Sequence, residues 1–511
     1  MRHNLRFFVW NDVNEARLAW VESIASAMGY STDDVLSCIV GSSELDPRAI
    51  AQIFLREYFD VAILDVMAPG NPTLGLRIAK EIRAVDKLIP IIAVTTQPIE
   101  VYRSVQNLGI FELSGVFEAS VMNPDSFYTA ALQQSLLNWH NIVPDYALVR
   151  RCVCSVRGWI VDADPEKSRY LRRLVEIIEM LPFTRTTEAW HKSILEPLAT
   201  LIKDIGLRAL GSSLETTGML FQHADPFYMA SSRSRVHLSH NVKVFLLGLI
   251  GLVEIAEVRA AAEAWARPIF GNPMALNPLY FAIATWSCVA MTHDTAYLSQ
   301  NFKTAVDRLR RLSDTFIGCF PTSSGLGTIP DWNWPSEHHA IVGKRLWELE
   351  MAKVGTDAEA VACMELIAKG IFRHDSSNHT APVSSRDWIE FLAVLSDELQ
   401  DWGRERPEDG PELVPFRLFG LQKISIGENC TMPDGVVRER IDLLFYVCDF
   451  PQHVIDELGC DGQRWIGERI TRIFDTLEKN IRSNPPLVIE ICVRFVSRNV
   501  DDMVKTIFLP E

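Results

Sequence analysis

The chain lacks any apolar run long enough to cross a bilayer. Its longest, Val244 to Val253 (VFLLGLIGLV), is followed by Glu254 and falls well short of the ~20 apolar residues that a spanning helix needs. The first residues, MRHNLRFFVWND, contain no apolar leader and enter a strand-like pattern directly, so no secretion signal is expected. Positive charge is in short supply. Fifty Lys and Arg face 65 Asp and Glu, a net charge of -15, which repels phosphates and makes duplex nucleic acid an unexpected partner. Cysteine pairing is missing too. Ten cysteines are scattered, mostly within apolar segments, and the one close pair, Cys152 and Cys154, has no second pair at zinc-site spacing. A disulfide framework and a zinc finger are thereby excluded, and free thiols in a reducing, cytoplasmic compartment are expected.

With 511 residues, 48% hydrophobic and 23% charged, the chain is long enough for two to four domains with sizeable cores. The overall expectation is a multidomain protein: an α/β doubly wound domain, an all-α domain and a small C-terminal α+β domain. The boundaries are drawn at 1–140, 141–234, 235–405 and 411–511.

Residues 1–140 alternate strand-like and helix-like patterns. Leu5 to Val9 is β-rich, Glu15 to Met28 has helical periodicity, and Val61 to Leu64 and Ile89 to Val94 are short apolar strands. Such alternation predicts a parallel sheet with helices on both faces and ligands at the carboxyl ends of the strands. Asp12 and Asp65 fall at such ends.

In VWNDVNEAR, FDVAILDVMAPG and IPIIAVTT this segment resembles the receiver domain of bacterial two-component response regulators, a flavodoxin-like fold. The resemblance implies that Asp65 accepts a phosphoryl group from a sensor histidine kinase or phosphotransfer protein. It also implies that Asp12 and Asp65 hold Mg²⁺ and that Thr95 is the switch hydroxyl. A carboxylate nucleophile beside a hard cation suits phosphoryl transfer, because the metal offsets charge repulsion. Two positions depart from the family pattern. Asn11 stands where a first acid is usual, leaving less charge for the metal, and Ala119 stands where a lysine follows the fifth strand.

Residues 141–234 are a mostly helical connector. A strand is expected from Cys152 to Asp162, with the two cysteines on alternate faces, and helices from Pro165 to Met180 and Thr187 to Ile205. Asp164 is the expected N-cap before Pro165.

Chemistry concentrates further on. In SRSRVHLSHNVKVFLLGLIGL, His237 and His240 share one helical face. WSCVAMTHDTAYLSQ places His293 and Asp294 together at the end of an apolar run, a metal-ligand arrangement because imidazole nitrogen and carboxylate oxygen both bind divalent ions. His338 and His339 open a helix in WPSEHHAIVGKRLWELE, His374 closes one, and Asp397 sits inside an amphipathic helix. Each has a plain alternative, such as a core histidine bonded to a carbonyl, a histidine at a helix C-terminus, or an aspartate paired with an arginine.

Taken in order, these residues resemble the HD superfamily of metal-dependent phosphohydrolases over about residues 235–405. The resemblance implies His240, His293, Asp294 and Asp397 as metal ligands, with His339 and His374 as the two extra histidines of members that hold two ions. His293 and Asp294 would be central to catalysis, with Asp294 bridging. One or two ions of Mn, Fe, Co or Zn suit this imidazole and carboxylate set better than Mg. His237, Tyr297, Lys344, Arg373 and His379 are candidate pocket residues. The segment SSNHTAPVSSRDW lacks the Gly-Tyr-Pro element of the cyclic-di-GMP phosphodiesterase branch.

In the tail, Arg440 to Phe450 and Leu487 to Ser497 are expected strands joined by a helix from Asp461 to Asn480, a βαβ element without catalytic groups. The expected function is a signalling protein whose receiver regulates a metal-dependent phosphodiesterase or phosphatase acting on a nucleotide or cyclic nucleotide, with homodimerisation implied by the receiver resemblance. The alternatives are a non-catalytic nucleotide sensor or scaffold, and a receiver that gates a protein interaction through the tail.

Overall fold

The computed structural model describes residues 5–11, 19–20, 22, 46–66, 71–95, 113–118, 124–143, 145–160, 165–181, 191–216, 237–270, 277–294, 340, 343–344, 347, 358–375, 381–400, 419–431, 437–448, 452, 455–456, 462–496 and 502–509. Asp12, Ala119, Asp164, Tyr297, His338, His339 and His379 lie outside them. The chain divides into two units. The first comprises Met1–Arg151, Pro411–Ile470 and Val488–Ile507, and the second Cys152–Gly410, Thr471–Leu487 and Phe508–Glu511.

The first unit opens with a parallel sheet in the order β1 (Phe7–Trp10), β2 (Val61–Asp65), β3 (Ile91–Thr95), β4 (Gly115–Glu118). Alternate residues feed two cores, as a period of two requires. Phe7, Val9, Val61, Ile63, Ile92 and Val94 pack with Leu132 and Leu136 of α3 (Pro124–Ile142), whereas Phe8, Trp10, Ala62, Leu64 and Ile91 pack with Ile50 of α1 (Pro47–Arg56) and Leu74, Ile78 and Ile82 of α2 (Leu74–Val85). Helices therefore pack on both faces of this parallel sheet, an α/β arrangement as the alternating pattern leads one to expect. Helix α1 starts where Asp46 accepts from the Arg48 amide at 3.0 Å and Pro47 pre-sets the first turn. At the head of α2, Gly75 lies so close to β2 that a Cβ would stand 1.7 Å from the Asp65 carbonyl oxygen.

Helix α4 (Tyr146–Arg157) replaces the strand expected from Cys152. The alternating cysteines suggested period two, but Leu148, Val149, Cys152, Val153 and Val156 are all buried, and their spacing of three and four is helical. Arg150 on this helix is buried and makes a two-pronged bond to Asp86.

The second unit is helical. Helix α5 (Pro165–Glu179) and α6 (Glu196–Asp204), the latter preceded by a π-turn at His191–Leu195, fall where helices were expected. Its core is formed by α7 (His237–Glu254), α8 (Ala256–Phe270), α9 (Pro278–Thr292), α10 (Ala358–Arg373) and α11 (Trp388–Leu399). Asn277 caps α9 by accepting from Leu279 N, ahead of Pro278, and every residue from Leu279 to Thr292 is buried. Helices α7 and α9 approach closely at Gly248, where a Cβ would meet the Trp286 ring at 1.9 Å. The Trp286 indole N–H donates to the Phe245 carbonyl at 3.0 Å. After α10 comes the short strand β5 (Val383–Ser384), which pairs in parallel with β8 (Ile481–Arg482).

The tail, expected as a separate unit over 411–511, is shared between the two units. Strands β6 (Phe419–Thr431) and β7 (Val437–Val447) form an antiparallel pair, bulged next to Gly427 with φ 79°. With β9 (Leu487–Phe495) and β10 (Met503–Leu509) they make a sheet in the order β10-β9-β7-β6, and α12 (Gly462–Asn480) joins β7 to β8 and β9. Leu444, Tyr446 and Cys492 of this sheet share the core of the first unit with α3, and the Tyr146 hydroxyl bonds Gln422. Among the described residues no helix is long and apolar enough to cross a membrane.

Candidate metal centre

Four helices of the second unit bring their acid and imidazole groups to one buried place. His240 comes from the start of α7, His293 and Asp294 from the turn that ends α9, His374 from the turn that ends α10, and Asp397 from α11. All five are buried, with Asp294 1% exposed and Asp397 5%. His240, His293 and Asp397 form one group, and His293, Asp294 and His374 a second, with the ligating atoms of each group within 4.8 Å of one another.

The helix ends orient the rings. Past the last turn of a helix the carbonyls lack amide partners, and in both α9 and α10 the following histidine uses its own ring on one of them. Nδ1 of His293 bonds the Ala290 carbonyl at 2.8 Å, and Nδ1 of His374 bonds the Ile371 carbonyl at 2.5 Å. Since a carbonyl only accepts, Nδ1 of each ring carries the hydrogen, and Nε2 is the atom each ring turns toward the other ligands. Burial pushes the His293 pKa down to about 3; the Asp294 charge opposes the fall, and the His374 and His240 imidazoles add to it. His293 is therefore neutral at ordinary pH.

The donor set fits a divalent cation. Nε2 of His240 lies 3.0 Å from Nε2 of His293, 3.1 Å from Asp294 Oδ2 and 3.2 Å from Asp397 Oδ1. A single N–H can serve only one of three acceptors, whereas one cation can be shared by all of them. Nε2 of His293 is 3.7 Å from Asp294 Oδ2 and 3.9 Å from Asp397 Oδ1. Two ligands each ~2.1 Å from an ion stand roughly 3.0 Å apart at right angles and about 4.2 Å apart when opposed, and every one of these separations falls in that window. The other oxygen of Asp294, Oδ1, is 3.7 Å from His374 Nε2. The carboxylate thus faces His240 with one oxygen and His374 with the other, as a bridging group would.

Of the six expected metal ligands the structure brings five together, and the sixth, His339, lies outside the described residues. The side chain of His237 is likewise not described. Lys344 stands with its ammonium 5.2 Å from the Phe372 ring centre, and Arg373 Nε is 3.3 Å from Glu390 Oε2. Both cations thus have protein partners of their own. Asn241 went unmarked in the sequence. It is fully buried and donates to the Met291 carbonyl at 3.0 Å, and the one signal for it was a carboxamide opening a long apolar run.

In the first unit, the residues expected at a phosphorylation site end adjacent parallel strands. Asp65 closes β2, the buried Thr95 closes β3, and Asn11 follows β1. Asn11 Nδ2 donates to Asp65 Oδ2 at 3.0 Å, so the position that departs from the family pattern touches the expected phosphoacceptor directly.

No protein-family model matches the chain, and no curated protein matches it.

Proposed function

We propose that the helical unit is a metal-dependent phosphohydrolase of the HD type, a phosphodiesterase or phosphatase acting on a nucleotide or cyclic nucleotide, and that phosphorylation of the N-terminal sheet at Asp65 regulates it. The observation that carries this reading is the convergence of His240, His293, Asp294, His374 and Asp397 from four helices with the spacings of ligands around an ion.

When bound, one or two ions of Mn, Fe, Co or Zn would supply Lewis acidity toward phosphoryl oxygens and acidify a water molecule. The protein's own part is to bind and orient. His240, His293 and Asp397 would hold one ion, and His374 with Asp294 Oδ1 would contribute to a second, with His339 the expected further ligand. Ring bonds to Ala290 and Ile371 keep two Nε2 atoms aimed at the centre. Burial keeps bulk water from competing for the carboxylates. Asp65, flanked by Asn11 and Thr95, is the proposed acceptor of a phosphoryl group from a histidine kinase or phosphotransfer protein.

The test begins with elemental analysis of the purified full-length chain, followed by incubation with Mn²⁺ and a panel of nucleotides and cyclic dinucleotides. Stoichiometric metal, and turnover lost on both His293→Ala and Asp294→Ala, are the expected results. A metal-free protein without turnover in any divalent ion would overturn the enzyme reading. If such a protein still bound nucleotide, it would be a sensor.

A further inference from the structure

We infer that Asn241 is a positioning residue of the metal centre, holding the turn that presents His293 and Asp294 to His240; this rests on the metal-centre reading above. Helix α9 ends at Thr292, so the carbonyls of its last turn need donors from outside the helical ladder. Thr292 Oγ1 adds a donor to the Cys288 carbonyl at 2.6 Å and the His293 amide serves Val289 at 2.9 Å. The His293 ring serves Ala290. The Met291 carbonyl receives its hydrogen from Asn241 on α7. The backbone of the ligand turn is thus tied, by one side-chain bond, to the residue that directly follows the facing ligand His240.

Core packing does not account for an amide at this position. Asn241 is 0% exposed at the start of an apolar stretch, where leucine offers the same branching without polar atoms and burying a carboxamide is costly unless it is bonded. Nor is the bond needed merely to keep the two helices in register. The Trp286 indole already ties α9 to the Phe245 carbonyl of α7 one turn away. What Asn241 adds is control of the Met291 carbonyl, two residues before His293. With the amide gone, the turn can rotate, and the His240 to His293 spacing of 3.0 Å is no longer enforced.

The experiment compares wild type, Asn241→Leu and Trp286→Phe as full-length proteins. It measures Mn²⁺ affinity by competition with a chelating dye, and the melting temperature in EDTA. Asn241→Leu should weaken Mn²⁺ binding by the folded protein by about tenfold or more, the usual size of an outer-shell loss, and should also lower the melting temperature in EDTA, because the Met291 carbonyl loses its donor. Trp286→Phe, which takes the donor from the Phe245 carbonyl, should likewise lower the melting temperature but leave the Mn²⁺ affinity of the folded protein unchanged. Equal Mn²⁺ affinity in Asn241→Leu and wild type would overturn the inference and leave the metal centre standing. No Mn²⁺ bound by wild type would overturn both. Should Asn241→Leu fail to fold, Asn241→Ala is judged by the same affinity criterion.

Discussion

Nε2 of His240 and Nε2 of His293 lie 3.0 Å apart, although the two residues come from different helices and both are buried beside the carboxylates of Asp294 and Asp397. Lone pairs and negative charge so close together in a water-poor place favour a cation over any arrangement of protons. A ligand that binds only the folded state stabilises it by mass action, by about 2.7 kcal/mol at a hundred times its Kd. Mn²⁺ added to the EDTA-treated protein should therefore raise the melting temperature of the helical unit. Asp294→Asn, which leaves the shape but removes the charge, should abolish that rise. Differential scanning fluorimetry with and without Mn²⁺ reads both, and an equal rise in the variant would argue against Asp294 as a ligand.

Gly248 is required by its neighbour. A Cβ there would stand 1.9 Å from Cζ2 of Trp286, a fully buried ring that is also fixed by its indole bond to Phe245. Overpacking of this kind typically costs 1–3 kcal/mol, occasionally more. Gly248→Ala should lower the unfolding free energy of the second unit by an amount in that range, and should weaken Mn²⁺ binding as well, because separating α7 from α9 separates His240 from His293. Chemical denaturation and metal titration of the same variant test the two halves of this expectation.

Much of this architecture was legible because the residues involved obey strong local rules. The buried strands β1 to β3 read as short apolar runs, and α9 as a continuous apolar segment behind Asn-Pro. Five of the six expected metal ligands converge, since a histidine or aspartate inside or just after an apolar helix has few inexpensive reasons to be there. Helix α4 reads as a strand on its alternating cysteines, and polar side chains, above all Arg150 buried against Asp86, hide its apolar face in the sequence. Strands β6 and β10 were missed for a related reason. Both are edge strands carrying polar residues, and β10 exposes Val504 and Phe508. The tie from Asn241 to Met291 was beyond a sequence reading, because it depends on which helix ends beside which.

At the other site, Asn11 donates to Asp65 Oδ2 at 3.0 Å. An amide in that position holds the carboxylate without adding charge for Mg²⁺, and a carboxylate would do the opposite. Acetyl phosphate with Mg²⁺ should add one phosphoryl group to the full-length wild type, read by intact mass, and none to Asp65→Asn. Asn11→Asp should phosphorylate faster at saturating Mg²⁺ and depend more steeply on its concentration. If the adduct persists in Asp65→Asn, another residue is the acceptor.

Acid should loosen the first unit through Asp86. Desolvation is the largest single influence and raises the pKa of this carboxyl, but the charge and hydrogen bonds of Arg150, the Leu88 amide and the charge of Arg83 together outweigh it, and the net result lies below the ordinary value. Arg150 makes 3.0 Å and 2.8 Å bonds to Asp86 Oδ2 and a 2.7 Å bond to the Phe59 carbonyl, while Asp86 Oδ1 accepts from Leu88 N and Ile89 N. A carboxyl whose folded pKa is depressed contributes stability that is complete above its unfolded pKa, near 3.9, and is lost as pH falls through the folded value. Asp86→Asn should therefore destabilise the unit at pH 7 by roughly 1–3 kcal/mol, since a bond to a charged group is lost from a partly exposed pair. The difference from wild type should stay constant down to about pH 4 and shrink below it. Hydrogen exchange of peptides covering β3 and α4, followed for both proteins from pH 7 to pH 3 with correction for intrinsic rates, measures this directly. A gap that stayed the same width at pH 3 would mean that the Asp86 charge contributes nothing to holding α4.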